Sequence, residues 1–157
     1  MMNDMHLRVI LPKNRKLPGW LRIEKNGMPI AEFRVLGRGL GNEPGDTSMS
    51  INGNTPTGSY SGSLEPTANL RQEQYGPWGR VRLKPVGGNA LMAERLGRGG
   101  LLIHGGSLTR LGELKNTQGC LRLGNEDMRE LMERIQAEGE IDLMSIQPTI
   151  KISVDEF

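Results

Sequence analysis

Apolar and polar residues alternate along much of the chain, and the alternation changes character at identifiable points. Residues 6–11 (HLRVIL) form a first apolar run, which the turn-prone stretch PKNRKLPG ends. Residues 20–24 (WLRIE) alternate apolar with polar and lead into Asn26-Gly27, after which the apolar pattern resumes over 28–36. This predicts a β-hairpin, because Asn-Gly accepts the positive φ angles of a type I′ turn. From 37 to 54 glycines, a proline and polar residues follow one another without a stable period, so a long loop and a candidate wall of a binding site are expected there. Residues 80–86 (RVRLKPV) and 101–104 (LLIH) read as strands. The second is short, apolar and flanked by glycines, as buried central strands are. Asn89 followed by ALMAERL and Gly97 predicts a short helix with an asparagine N-cap and a glycine stop. The clearest helix is 125–139, with Met128, Leu131, Met132 and Ile135 at i, i+3, i+4 and i+7 and acidic Glu126 and Asp127 in the first turn. Residues 141–154 read as one or two strands interrupted at Pro148, and the chain has no internal repeat or low-complexity tract.

Composition narrows the class. At 157 residues the chain is expected to be one domain spanning 1–157, long enough to bury a core without disulfides or a structural metal. With 22 glycines and few aromatics, short strands joined by turns should predominate and helix should be the minority element. A net charge of +2 is too even to imply a nucleic-acid or polyanion partner. The single cysteine excludes an intrachain disulfide and any zinc site built from several cysteines, fits a reducing compartment, and leaves a thiol free for chemistry. The opening MMNDMHLRVILPKNRK lacks the apolar region of about 7 to 15 residues of a secretory signal. No stretch approaches the roughly 18 apolar residues that cross a bilayer. A cytoplasmic address without a membrane partner is therefore the expectation, with signal-independent export or a removed leader as the alternatives.

Candidate chemistry concentrates in 103–123, IHGGSLTRLGELKNTQGCLRL, which holds the only cysteine and one of the two histidines. A thiol near its ordinary pKa of about 8.5 is mostly protonated at neutral pH, so a nucleophilic cysteine wants an imidazole to take its proton. Cys120 is the candidate nucleophile and His104 the candidate base. His104 stands at the end of a strand, where a rigid scaffold can hold the ring, and Gly105-Gly106 lets backbone or substrate approach. Gly119 leaves room for backbone N–H groups to turn toward a developing oxyanion. A lone cysteine is more often a small buried hydrophobe. Against that, a Gly-Cys-Leu-Arg turn between a polar loop and a helix start is a poor place for a core residue. His6 lies in a strand-like run near the terminus, where packing or solvent accounts for it, and it is assigned no role.

The stretch His104-Gly105, a loop, then Thr117-Gln118-Gly119-Cys120-Leu121-Arg122 resembles the L,D-transpeptidase (YkuD-type) catalytic domain, whose signature is His-Gly followed by [Ser/Thr]-His-Gly-Cys-x-[Arg/Asn]. Asn54-Thr55-Pro56-Thr57-Gly58-Ser59-Tyr60 is similar to that family's Thr-Pro-x-Gly-x-[Tyr/Phe] strand opening. Gly97-Arg98 leading into LLIHGG resembles its approach to the histidine. The likeness extends over roughly residues 19 to 137. It implies an α+β, mostly β, sandwich-like fold with one main helix after the cysteine and a short helix before the histidine strand. It also implies a cysteine enzyme acting on peptidoglycan stem peptides without cofactor or metal. Cys120 would attack the carbonyl joining a meso-diamino acid to the terminal D-alanine, with His104 as base oriented by a carbonyl such as that of Gly105. The N–H groups of Gln118, Gly119 and Cys120 would form the oxyanion hole.

Arg122 is the candidate for steadying the loop or meeting a substrate carboxylate, with an ion pair to Glu126 or Asp127 as the alternative. Gln118 stands where the family usually has a second histidine, and it can hydrogen-bond but not titrate. Tyr60, Tyr75 and Trp78 are candidates for a groove wall, or else for a hydrophobic staple of the loop. Arg80, Arg82 and Arg98 are candidates for the cation that an anionic peptide terminus needs.

Water as acceptor makes an L,D-carboxypeptidase that trims tetrapeptides to tripeptides in the cytoplasm during wall recycling, which is the leading expectation. The alternatives are a transpeptidase forming 3-3 cross-links or exchanging D-amino acids, a secreted wall-targeting effector, and an inactive peptidoglycan-binding module. Oligomeric state is not legible in the sequence.

Overall fold

The computed structural model describes residues 5–40, 49, 53–66, 72–139 and 150–157. Eight strands and three helices occur among them, in the order β1 (Met5–Leu11), β2 (Gly19–Lys25), β3 (Met28–Val35), β4 (Gly58–Glu65), α1 (Gln72–Tyr75), β5 (Arg80–Gly87), α2 (Gly88–Arg95), β6 (Leu102–His104), β7 (Leu121–Arg122), α3 (Asn125–Gly139) and β8 (Ile150–Glu156). The fold is mostly β, as expected. The expected strand or strands over 141–154 lie outside the described residues up to 149, and 150–154 belong to β8. Much of the expected 37–54 loop is likewise outside them.

The strands hydrogen-bond in the order β3-β2-β1-β8-β4-β5-β6-β7. The β2–β3 hairpin turns at Asn26 (φ 52°) and Gly27 (φ 82°), both positive as a type I′ turn requires. β8 enters the middle of the sheet, parallel to β1 (His6↔Lys151) and antiparallel to β4 (Gly58↔Val154). The two outer strands of the order then meet. Leu36, directly after β3, exchanges both backbone hydrogen bonds with Arg122 of β7, each 2.9 Å. The sheet thus curls until its edges touch, which encloses an apolar interior and leaves the ends of β3 and β7 no unpaired edge at that point.

The alternation of each strand decides what it buries. β1 shows a strict buried-intermediate period, with Leu7, Val9 and Leu11 inside. Leu21, Ile23, Phe33, Val35, Tyr60, Leu64, Val81, Leu83, Ile152 and Val154 join the same cluster. α3 spans the predicted residues and buries the predicted four, Met128, Leu131, Met132 and Ile135.

α2 begins two residues earlier than expected. Its N-cap is Gly87, without a side-chain cap, because Asn89 donates instead to Thr57 Oγ1 at 2.9 Å. It stops at Gly97 as expected: the Gly97 N–H bonds Glu94 O and the Arg98 N–H bonds Ala93 O, both 3.0 Å, with Gly97 at φ 105°. This is the paired-bond Schellman ending, and it delivers Arg98 to the site. The expected Gly-Cys-Leu-Arg turn is corrected: Leu121–Arg122 is a strand, paired in parallel with β6 (Ile103↔Leu121, His104↔Arg122).

Candidate active site

β6 and β7 alternate between two environments. Ile103, Leu121 and Leu123 enter the apolar cluster, whereas Leu102, His104, Cys120 and Arg122 border a cavity of about 460 Å³. The parallel register puts Cys120 opposite Leu102, one same-face step from His104. Nucleophile and base therefore share one face of two neighbouring strands, and Cys120, although buried, borders the cavity and lies outside the main apolar cluster. Tyr75, Arg98, Asn116, Thr117 and Gln118 also line the cavity.

His104 is 2 % exposed. Its Nδ1 lies 2.6 Å from the carbonyl oxygen of Gly105. A carbonyl only accepts, so Nδ1 carries the proton and Nε2 keeps a lone pair. Tyr75 meets the imidazole edge-on, with ring centroids 5.1 Å apart and planes at 82°. Burial pushes the His104 pKa down to about 4; the Gly105 carbonyl opposes this, and Arg122 and Arg80 reinforce it. The ring is consequently neutral at pH 7.

The Cys120 sulfur accepts the Leu102 N–H at 3.3 Å and reaches Gly100 O at 3.8 Å. It makes no hydrogen bond to His104 among the described residues, so the resting thiol leans along β6 away from the base. Burial pushes its pKa up, against the Leu102 N–H and the positive charges of Arg98, Arg122 and Arg80. With a depressed imidazole and an elevated thiol, the resting pair is neutral rather than thiolate and imidazolium.

The cysteine loop is held by two threonines. Thr117 Oγ1 accepts the Gly119 N–H at 3.0 Å and donates to Cys120 O at 2.8 Å, while Thr55 Oγ1 donates to Gly119 O at 2.6 Å. This corrects the expectation for Gly119, whose N–H is committed to Thr117 and is not free for an oxyanion. The N–H groups of Gln118 and Cys120 have no partner among the described residues. What Gly119 supplies is space. It sits at φ 112°, and a Cβ there would lie 1.9 Å from Arg98 Nη2 and 2.7 Å from Gly53 O.

Arg122 resolves between its alternatives. Nη1 donates to Ser107 O and Nη2 to Gln74 O, both 2.8 Å, and it pairs with neither Glu126 nor Asp127. It steadies loops through both terminal nitrogens while also bordering the cavity. Arg98 is buried beside the cavity and bonds Asn54 O at 2.6 Å and Gly53 O at 3.2 Å. Gln118 is exposed at the cavity wall.

Tyr60 is corrected: it lies in the core, 1 % exposed, with its hydroxyl donated to Pro56 O at 2.6 Å, and it does not reach the cavity. Trp78 also lies outside the cavity lining, under the guanidinium of Arg129. Arg80 and Arg82 both pair with Glu65. His6 bonds Ser153 Oγ at 3.0 Å, outside the site.

Sequence reasoning missed the hydrogen-bonding parts of Thr55 and Thr117, the buried Arg15, and Asn125, whose Oδ1 accepts the Gly106 N–H at 2.8 Å. It also missed α1. The three carbonyls at the end of this one-turn helix, those of Glu73, Gln74 and Tyr75, accept Ser107 N, Arg122 Nη2 and Gly105 N. The Thr-Pro-Thr-Gly segment carried a signal, but its partner Gly119 is 64 positions away.

No curated protein sequence matches the chain. Solved structures that the chain resembles include L,D-transpeptidase 1 of Mycobacterium tuberculosis, 13 % identical, covering 97 % of this chain and 61 % of that one with a TM-score of 0.47. A second is the L,D-transpeptidase LdtMt1 in complex with imipenem (15 %, 97 % and 59 %, TM-score 0.49), and a third is an L,D-transpeptidase from Mycobacterium smegmatis (12 %, 96 % and 59 %, TM-score 0.50). The chain spans about three-fifths of the length of these structures. At the level of sequence, residues 21–146, including the whole of the histidine-to-cysteine stretch, match the family described as the L,D-transpeptidase catalytic domain, YkuD. The chain belongs to that family.

Proposed function

We propose that the protein is a cysteine acyl-transfer enzyme of peptidoglycan stem peptides, and that with water as acceptor it acts as an L,D-carboxypeptidase. The observation that carries this reading is the common cavity face of Cys120 and His104, with Nδ1 of the ring tied to Gly105 so that Nε2 is the free base. Rotation of the Cys120 side chain brings its S–H to Nε2, a closing step of the kind that substrate induces in resting sites. The sulfur attacks the carbonyl joining the diamino acid to D-alanine as its proton passes to Nε2. The tetrahedral oxyanion is met by the free N–H groups of Cys120 and Gln118. Collapse breaks the C–N bond, the imidazolium protonates the leaving amine, and D-alanine departs from a thioester. His104 then takes a proton from water as the new C–O bond forms, the C–S bond breaks, the imidazolium returns its proton to the sulfur, and the tripeptide leaves.

The buried cations around the sulfur, Arg98 and Arg122 foremost, favour the negative charge that develops there. A volume of about 460 Å³ suits one donor segment. Hydrolysis asks only for this donor site and water. Family membership favours the second reading, an amine acceptor giving 3-3 cross-links or D-amino acid exchange. The setting proposed for this activity is cytoplasmic recycling, with which an unpaired thiol is compatible.

Mass spectrometry of a diaminopimelate tetrapeptide incubated with wild type and Cys120→Ala tests the reading, with and without a free D-amino acid. Tripeptide from wild type alone is the expected product. Exchanged or dimeric products without tripeptide would transfer the assignment to transpeptidation. No turnover at all would favour a binding module.

A further inference from the structure

The backbone groups flanking the nucleophile can be accounted for one by one. The Gly119 N–H donates to Thr117 Oγ1, Gly119 O accepts from Thr55 Oγ1, and Cys120 O accepts from Thr117 Oγ1. The group left over is the Cys120 N–H. The Gly119–Cys120 peptide is trans and planar, so its carbonyl and its N–H point in opposite directions. Whatever fixes the carbonyl therefore aims the N–H. Side-chain bulk cannot fix it, because residue 119 is a glycine at φ 112°, where rotation of the peptide plane meets no Cβ.

The fixing group is the Thr55 hydroxyl, and Thr55 is itself held on every polar atom. Its side chain is fully buried, its N–H bonds Gly37 O at 3.1 Å, and its carbonyl accepts Arg15 Nη1 at 2.7 Å. The other end of Arg15 is anchored on Glu156 of β8 at 2.6 Å. A continuous hydrogen-bonded line thus runs from the centre of the sheet to the peptide in front of the sulfur.

We propose that Thr55 is a positioning residue for acyl transfer: its hydroxyl locks the Gly119–Cys120 peptide so that the Cys120 N–H faces the oxyanion. The proposal rests on the acyl-transfer reading above, and its test separates the two. A peptide aldehyde ending in the diamino acid adds to the thiol. The S–C bond forms, the thiol proton passes to the former carbonyl oxygen, and the resulting hemithioacetal holds that oxygen where the oxyanion would lie.

Three enzymes are compared: wild type, Thr55→Val, which keeps the shape and loses the hydroxyl, and Thr55→Ser, which keeps the hydroxyl. For Thr55→Val, kcat on the tetrapeptide should fall about 10- to 100-fold and aldehyde affinity should weaken in parallel, less than the roughly 100- to 1000-fold of removing an oxyanion donor outright, because the N–H is misdirected and not deleted. KM and affinity for the tripeptide product should stay within about threefold, since only charge developing on the oxygen feels the donor. Thr55→Ser should retain activity within about threefold of wild type.

A measurement on the wild type alone guards against a variant that fails to fold. Because Cys120 is the only cysteine, ¹⁵N-cysteine labelling gives a single amide resonance, and it should move downfield when the aldehyde adds. A folded Thr55→Val with wild-type kcat, or an amide resonance unmoved by the adduct, overturns the role of Thr55 and leaves acyl transfer standing. Wild type that neither releases D-alanine nor binds the aldehyde overturns the acyl-transfer reading itself.

Discussion

His104 sets two opposing demands on one side chain. A base must be neutral to accept a proton, and burial keeps it so down to about pH 4, but the same burial makes it costly to charge. The acid limb of kcat/KM should accordingly lie near pH 4 rather than near the ordinary histidine value of about 6.5. Tyr75→Ala, which opens the ring to water, should move that limb upward by about one unit or more. Stability follows the same shift. Above about pH 6.5 neither folded nor unfolded chain protonates this ring; between there and pH 4 only the unfolded chain does, so stability falls as pH falls through that window. The loss totals about 3 kcal/mol and levels off below pH 4. Urea denaturation across pH 4 to 7 measures it, and His104→Gln should flatten this part of the profile. The elevated Cys120 thiol gives a third expectation: iodoacetamide should alkylate resting Cys120 no faster than free cysteine at pH 7, because the thiolate is scarce until His104 takes the proton during attack on substrate. The identities of Cys120 and His104 were legible because their chemistry is rare in this chain. Thr55 and Arg15 were not, since a buried threonine or arginine announces itself only through partners that the fold brings together.

At the scale of elements, the site is a junction more than a strand. α1 is one turn long, and its final carbonyls are satisfied by the active-site segments that it holds. Arg122 forks across this junction, from Gln74 to Ser107, with bonds that a shorter or single-headed cation cannot duplicate. Arg122→Lys should therefore cost about 1.5–3 kcal/mol in urea denaturation. It should also speed amide exchange at Gly105 and Ser107, whose N–H groups bond α1. Gly119→Ala should lower turnover by on the order of a hundredfold or more, since its Cβ would meet the Gly53 carbonyl as well as Arg98, at a φ of 112° that L side chains rarely adopt. The hairpin, α3 and the stop of α2 could be read from local pattern, which is where turn chemistry and periodicity act. α1 could not, because QEQY is too short to show a period. β7 was mistaken for a turn because two residues cannot show alternation; its strand character comes from pairing with β6.

Over the whole molecule, strand identity was mostly legible and strand order was not. Nothing local tells Ile150–Glu156 to lie between β1 and β4, and the parallel β1–β8 ladder joins residues as distant as His6 and Lys151. Such distant contacts slow folding, and stopped-flow refolding should take milliseconds to seconds. Removing 150–157 deletes a central strand together with the Glu156 anchor of Arg15, and the shortened chain should lose cooperative unfolding by circular dichroism. The same insertion has a consequence during synthesis. Strands β1 to β7, thiol and imidazole included, leave the ribosome before β8, which pairs β1 on one side and β4 on the other. The nascent polypeptide therefore carries its reactive groups in an unassembled state, and catalytic competence arrives only after β8 has cleared the exit tunnel.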